Sequence, residues 1–501
     1  MQTNSKERSD SYSQAAKATG IFGGVQAINV LIQIVRSKVV AVLLGTTGVG
    51  IQGLFSASTG MIASITNLSL GFSAVRSISE ASGTNDWHKV SRFIFVLRRW
   101  VYFTGIFGML LTILLSPKLS YWAFGNYKYT WAFIFLSIIL LLQALNSGQL
   151  ALLQGLRKLK YLAKATLTGS FFGLCISIPL YFWFGIAGIV PSIILTAGLS
   201  LALSWYFSRQ IRIDKVQMSL KESFFAGLDM VKLGSVMMVT GFIQTGVIYL
   251  IRAYISRTGG IEQVGLYTAA FGIVNGYVGL VFTAMGTDYF PRLSAVNHDN
   301  SHVRRLVNEQ AEIAIILLGP ILIMLLSTLP LVIRILLSAK FLPIIALVQW
   351  ALLGVLFKAA SWSIAFIILA KGDGKIYLIT ETTGFLVILA SNIVFYHFFK
   401  LEGLGFAFLI SYIVYLIIVF TIAKIRYNFY FGMPFLKLFA IQFTLIAVAL
   451  LCVVLLGFPK AYLTGIIFLV FTVFYSYHEA QKRLDLSEAL HKVRSRLFKK
   501  N

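Results

Sequence analysis

Apolar stretches of about twenty residues recur from one end of the chain to the other, separated by short polar segments. Each is long enough to cross a hydrocarbon core of ~30 Å as an α-helix. Fourteen spans are predicted, near residues 18–44, 52–75, 93–115, 130–153, 162–183, 187–207, 231–251, 265–288, 310–333, 344–369, 376–398, 403–423, 436–457 and 461–478. The connections leave no room for an inserted soluble domain. The segment from Met1 to Asp10 is polar and charged and has no cleavable-signal pattern, so the first span is expected to serve as its own insertion signal.

Composition sharpens this picture. Of 501 residues, 58% are hydrophobic and only 12% charged, against about 25% charged in soluble domains. That deficit excludes a water-soluble enzyme, a disordered chain and a nucleic-acid-binding domain. The net charge of +25 would suggest nucleic acid in a soluble chain. Here the Lys and Arg collect on alternate connections by roughly four to one, the bias expected of cytoplasmic segments. Both termini are therefore expected in the cytoplasm. Cys175 and Cys452 lie within apolar runs, with no metal or disulfide spacing.

The chain also repeats itself. Arg36 is echoed by Arg252, Val49-Gly50 by Val264-Gly265, and Arg76 by Arg292; Tyr161-Leu162 is echoed by Tyr377-Leu378, and Gly169 by Gly384. All five pairs share an offset of 215 or 216 residues. The expected fold is an all-α polytopic membrane protein of two parallel six-helix repeats plus two C-terminal helices. Its expected divisions are 1–220 and 221–428 as the two six-helix lobes, and 429–501 as two extra spans with a basic tail. An even number of spans per half orients both halves alike, the parallel-repeat plan of alternating-access transporters.

Polar groups within spans are costly, so they are expected to face the bundle interior or a water-filled cavity. On the first span Gln26, Asn29, Gln33 and Arg36 are spaced 3, 4 and 3 and form one stripe. Thr66, Ser69, Ser73 and Arg76 do the same on the second. The seventh span presents Gly241, Thr245, Tyr249 and Arg252, and the eighth Thr268, Gly272, Asn275, Gly279 and Gly286. The stripes of the first and seventh spans read as cavity lining, whereas small-residue stripes such as those of the second and eighth are also what helix packing uses. Lys38 could snorkel to an interface; Lys358 sits mid-span and is expected to reach the cavity. The only acid expected within a span is Glu381. A cavity lined by cations selects an anion, and arginine pairs suit a diphosphate.

No enzyme motif is present: the six His have no ligand spacing, and no Walker A sequence occurs. No cofactor or metal is called for. Lys371-Gly372-Asp373-Gly374-Lys375 reads as a tight turn between spans rather than a phosphate loop.

Leu43-Leu44-Gly45 and Val49-Gly50 after the first span, within two repeated halves, resemble the multidrug/oligosaccharidyl-lipid/polysaccharide (MOP) exporter superfamily. Ile251-Arg252-Ala253-Tyr254-Ile255, then Gly260, Val264-Gly265 and Tyr267, and Tyr289-Phe290-Pro291-Arg292-Leu293-Ser294, are similar to Wzx-type O-antigen flippases. The resemblance implies a V-shaped two-lobe bundle. It implies a flippase that moves an undecaprenyl-diphosphate-linked oligosaccharide from the inner to the outer leaflet of the bacterial cytoplasmic membrane. Arg36, Arg252, Lys38, Lys358 and Arg76 are then expected to hold the diphosphate, and Gln26, Asn29, Gln33, Thr245, Tyr249 and Asn275 to line the cavity. Glu381 is a candidate for ion coupling, against the alternative that it pairs with Lys375 or Lys358. Expected partners are the lipid-linked substrate and membrane lipids, with a polysaccharide polymerase and a chain-length regulator as further candidates. Fourteen spans depart from the twelve common among such flippases and are similar to the lipid II flippase. The competing function is a proton- or sodium-coupled multidrug antiporter, which should carry carboxylates in its cavity.

Overall fold

The computed structural model describes residues 25 and 28–483, apart from 84, 85, 212, 215, 458 and 459. Its elements are α-helical with short 3-10 and π turns: α1 (28–43), α2 (Gly45–Thr66), α3 (Leu70–Gly83), α4 (Trp87–Phe124), α5 (Thr130–Gly155), α6 (Leu159–Phe184), α7 (Ile189–Ser208) and α8 (Leu220–Gly259). There follow α9 (Ile261–Phe271), a π turn (Gly272–Tyr277), α10 (Gly279–Ala295), α11 (Asn300–Leu336), α12 (Ile345–Ala370), α13 (Gly374–Tyr427), α14 (Met433–Leu456) and α15 (Lys460–Arg483). Among the described residues, eleven helical runs are long and apolar enough to cross a membrane. Two of them hold two spans each: α6 with α7, and α13, which bends at Lys400. With α1 the architecture is the expected fourteen-span, all-helical one.

Several helices are longer than hydropathy shows. At 38 residues α4 extends ~57 Å, well past a ~30 Å core. Its polar start is held by Asp86, whose carboxylate accepts the Lys89 N–H at 3.0 Å. In α8 a reciprocal cap does the same: Ser219 and Glu222 each accept the other's backbone N–H, at 3.1 and 3.0 Å. Hydropathy marks only the apolar middle; caps carry the helices beyond it.

Two unexpected features sit beside the candidate residues. The predicted loop after the first span is absent, because Gly45 (φ +65°) turns the chain directly into α2. The predicted second span is broken at Leu68 and Ser69, both at positive φ.

The chain divides into two units, Met1–Gly265 with Leu336–Ser338, and Leu266–Ile335 with Ala339–Asn501. In the first, α4 packs on α5, where a Cβ at Gly105 would meet Leu141 and Ala144. A core of Ile78, Ile94, Leu97, Leu152 and Leu153 joins α3, α4 and α5. In the second, Ile364, Ile367 and Ile368 of α12 pack with Tyr289, Val307 and Val419. The last two helices belong to this unit: buried Gln442 of α14 donates to Ser476 of α15 at 2.9 Å, and Arg483 of α15 bonds Glu312 of α11 at 2.5 Å.

The internal repeat reaches the backbone. Arg157 and Gly372, 215 apart, both take positive φ at the turn before the fifth span of each half. So do Gly185 and Lys400 at the turn before the sixth. Just beyond, a Cβ at Gly188 would collide with the Leu180 carbonyl, and one at Gly403 with the Phe395 carbonyl. Tyr181 and Tyr396, again 215 apart, are fully buried.

Two pairs of repeat-related positions meet directly. Within the first unit, Thr46 of α2 donates to Glu262 of α9 at 3.0 Å. One turn on, a Cβ at Gly50 would collide with the Ile261 carbonyl, and one at Gly265 with the Thr46 carbonyl. The backbones of α2 and α9 approach as closely as small-residue seams allow. Gly265→Val should therefore lower thermal stability by about 1–3 kcal/mol, since a backbone carbonyl cannot swing aside. Gly198→Ala, where a Cβ meets nothing within 4 Å, should be near neutral. Equal melting temperatures for the two variants would contradict this close approach.

Candidate functional site

Arg36 opens into a polar cavity inside the first unit. The cavity holds about 570 Å³ and lies among α1, α2, α5, α6 and α7. Gln33 and Arg36 come from α1, and Gln52, Ser56 and Thr59 from α2. Gln143 and Asn146 come from α5, Ser170 from α6, and Thr196 and Ser200 from α7. Among the described residues that line it, Arg36 is the one charged group, and there is no carboxylate. The side-chain oxygens of Asn146 and Thr196 are shielded from solvent without a hydrogen-bond partner, and buried oxygens in that condition are costly. The cavity thus offers one guanidinium and a surplus of amides and hydroxyls: a cation for an anionic group and neutral donors and acceptors for hydroxyls.

Small residues make this room. Ser56 and Gly60 of α2 line the cavity, and a Cβ at Gly60 would meet nothing within 4 Å. Gln143 and Asn146 are spaced three on α5 and so share its face. That spacing in an apolar span was the readable signal for them. Thr196 and Ser200 had none, since hydroxyls four apart are common on packing faces.

The other sequence-derived candidates go to different places. Gln26 lies outside the described residues. Asn29 and Lys38 are half-buried on α1. Arg252 of α8 does not line the Arg36 cavity; it donates to the Gly53 carbonyl of α2 at 2.6 Å. Thr245, one helical face with it, meets Ser64 of α2 at 2.9 Å, and Tyr249 is buried. The α8 stripe therefore runs against α2, on a face adjoining the one that lines the cavity.

On the second predicted stripe, Thr66 packs against Gly108, where a Cβ would lie 2.8 Å from its hydroxyl, and buried Ser73 packs against Gly234. This is helix packing. Arg76 is exposed at the end of the stripe and pairs with Glu80 at 2.9 Å.

The second unit carries a separate polar group. Lys358 of α12 donates to Asn275 at 2.8 Å. Its ammonium lies 5.5, 5.9 and 5.5 Å from the ring centres of Phe282, Phe408 and Tyr412, within cation–π range. Asn275 reaches this position from the π turn, which hydrophobic periodicity does not reveal and which often marks a working position. Glu381, on the first arm of α13, accepts from the Tyr415 hydroxyl of the second arm at 2.5 Å; its partner is this phenol rather than Lys375 or Lys358. The glycine-bearing segment before α13 is a turn: Gly372 takes φ +76°, and Asp373 accepts from Arg426 at 3.3 Å.

The Glu381–Tyr415 bond ties the two arms of α13 where Gly384 already lets Tyr415 close in. Tyr415→Phe should cost about 1–3 kcal/mol by leaving the carboxyl short of its donor, whereas Glu381→Gln, which can still accept, should cost less. Thermal unfolding of the purified variants measures this; a Tyr415→Phe protein as stable as the parent would mean the bond carries no weight.

A family model described as a polysaccharide biosynthesis protein matches residues 95–346. A search of curated proteins found no match. Among solved structures the chain is similar to an inward-facing multidrug resistance MATE family transporter of the MOP superfamily, with TM-score 0.67 and 13% identity over 80% of this chain and 94% of that one. It is similar to the lipid II flippase MurJ in an inward closed conformation, with TM-score 0.64 and 15% identity over 94% of this chain and 99% of that one. A MOP superfamily transporter from Pyrococcus furiosus, titled for the reverse polarity of its binding pocket, gives TM-score 0.58 and 14% identity over 82% and 96%. The chain belongs to the polysaccharide biosynthesis protein family and has the fold of the MOP superfamily transporters.

Proposed function

We propose that the protein is a flippase for a lipid-linked oligosaccharide. In this reading it moves an undecaprenyl-diphosphate-linked sugar unit from the inner to the outer leaflet of the bacterial cytoplasmic membrane by alternating access, with both termini in the cytoplasm. The observation that carries this reading is the Arg36 cavity. One guanidinium among amides and hydroxyls, with no carboxylate in the described lining, matches a ligand that joins phosphate to sugar. A cation-binding drug site would call for the opposite sign. The family description and the likeness to a lipid flippase across 94% of the chain support it. The polyprenyl tail stays in lipid throughout.

Arg36 takes the diphosphate in paired charge-assisted bonds, and Gln33, Gln52, Gln143 and Asn146 take sugar hydroxyls. Lys358, beside Asn275 in the second unit, is a separate candidate cation for an anionic group, and Arg252, Lys38 and Arg76 are candidate cations outside the Arg36 cavity lining. A membrane potential negative inside drives an anion outward by about 2.3 kcal/mol per charge per 100 mV. A diphosphate with about two charges gains roughly 4–5 kcal/mol, enough to bias outward movement without a coupled ion, and Glu381 modulates the cycle.

A strain lacking the protein should lose surface polysaccharide and accumulate lipid-linked repeat units at the cytoplasmic face. Arg36→Gln, present in the membrane at normal level, should restore transport only at about one-tenth to one-hundredth of the parent rate, the loss expected for a hydrogen bond to a charged group. Normal polysaccharide together with sensitivity to cationic dyes would instead favour the multidrug antiporter to which the MATE likeness points.

A further inference from the structure

Where α8 begins, the first unit has two adjoining clefts that share no lining residue with the Arg36 cavity. The larger part of their walls is apolar, but one end is strongly basic. The first cleft, about 710 Å³, is formed by Ile65 and Thr66 of α2, by Arg99, Trp100, Phe103 and Phe107 of α4, and by Lys221 and Phe224 of α8. The second, about 880 Å³, lies on the other side of the same turn and includes Lys89, Arg92 and again Lys221.

The cleft is built rather than incidental. Arg99 donates to the carbonyls of Met218 and Ser219, 3.0 Å each, which pins the chain entering α8. The Trp100 indole donates to the Ser223 carbonyl at 3.1 Å and stacks on Phe224 at 5.3 Å. A Cβ at Gly227 would collide with that indole. Further along α4, Phe103 and Phe107 are left more than half exposed on the cleft wall.

The basic end keeps a net positive charge, with Lys89, Arg92 and Lys221 against Glu222. Glu222 is spent on the α8 cap and Asp86 on Lys89, at 3.1 Å. Among the described residues Arg92 and Lys221 have no acidic partner, and both are exposed. From Arg99 to Phe107 the cleft rises ~12 Å along α4, close to the depth of one leaflet of a ~30 Å core.

We infer that this cleft binds an anionic membrane phospholipid, its phosphate at Lys221, Arg99 and Arg92 and one acyl chain along Phe103 and Phe107. Basic pockets between membrane helices at the cytoplasmic surface suit such headgroups, and these residues lie on the side that the Lys/Arg bias assigns to the cytoplasm. A span of one leaflet's depth fits an acyl chain in its own leaflet better than a far longer polyprenyl chain. The lipid would brace the junction of α2, α4 and α8, the same α2 and α8 that carry Gly53 and Arg252.

The test is native mass spectrometry of the purified full-length protein titrated with phosphatidylglycerol, phosphatidylcholine or undecaprenyl phosphate. Phosphatidylglycerol should be retained in preference to phosphatidylcholine. The double variant Arg92→Gln, Lys221→Gln leaves the Arg99 bonds to Met218 and Ser219 intact, and should weaken phosphatidylglycerol retention roughly thirtyfold. Phe107→Ala, at an exposed position, should weaken it further without changing the headgroup preference. Equal retention of the two phospholipids, or no change in the double variant, would overturn the inference in favour of an unselective lipid annulus. Displacement of phosphatidylglycerol by equimolar undecaprenyl phosphate would overturn it by making the cleft a substrate-tail site. Neither result touches the Arg36 cavity, whose role is read by transport.

Discussion

A guanidinium on a helix that crosses hydrocarbon has to be given polar company, and the organisation of the first unit follows from that requirement at Arg36. Without a carboxylate in the described lining, the company is neutral: amides of Gln33, Gln52, Gln143 and Asn146 and hydroxyls of Ser170, Thr196 and Ser200. Neutral partners leave the positive charge uncancelled. A cavity so built has a standing preference for an anion, and its amides and hydroxyls suit a ligand rich in hydroxyls. In the proposed function, sugar hydroxyls and phosphate oxygens supply both halves of that demand.

The room for the cavity comes from how closely helices pack elsewhere. Gly50 and Gly265 bring α2 and α9 backbone to backbone, while Ser56 and Gly60, further along the same helix, leave space. Small residues on α2 thus do two different things: where a neighbour's carbonyl fills the gap they close it, and where nothing fills it they open a cavity. Arg252 and Thr245 of α8 then hold the adjoining face of α2 through Gly53 and Ser64.

Much of this was legible in the sequence, for reasons that differ by element. Fourteen spans follow from hydropathy because lipid admits only helices with their backbone bonds satisfied internally. The repeat was visible at Arg36/Arg252 and Gly50/Gly265, and it continues in positions that periodicity does not mark, such as the positive φ shared by Arg157 and Gly372. The α1 stripe identified Arg36 and Gln33 as cavity residues. The stripe of Thr66, Ser69 and Ser73 had the same spacing and is packing instead, because spacing gives a face but not what lies opposite. The polar ends of α4 and α8 lie outside the predicted spans, since capping, not hydropathy, makes them helical. The π turn that delivers Asn275 to Lys358 has no sequence signature at all.

The most direct test of the proposed anion-selective cavity is flipping of a fluorescent diphosphate-linked oligosaccharide in proteoliposomes, with an imposed inside-negative potential and equal reconstitution of each protein. The parent should move the lipid, Arg36→Lys should retain part of the rate, and Arg36→Gln should fall about ten- to a hundredfold. An Arg36→Gln protein that flips at the parent rate would contradict the account and return the α1 stripe to helix packing.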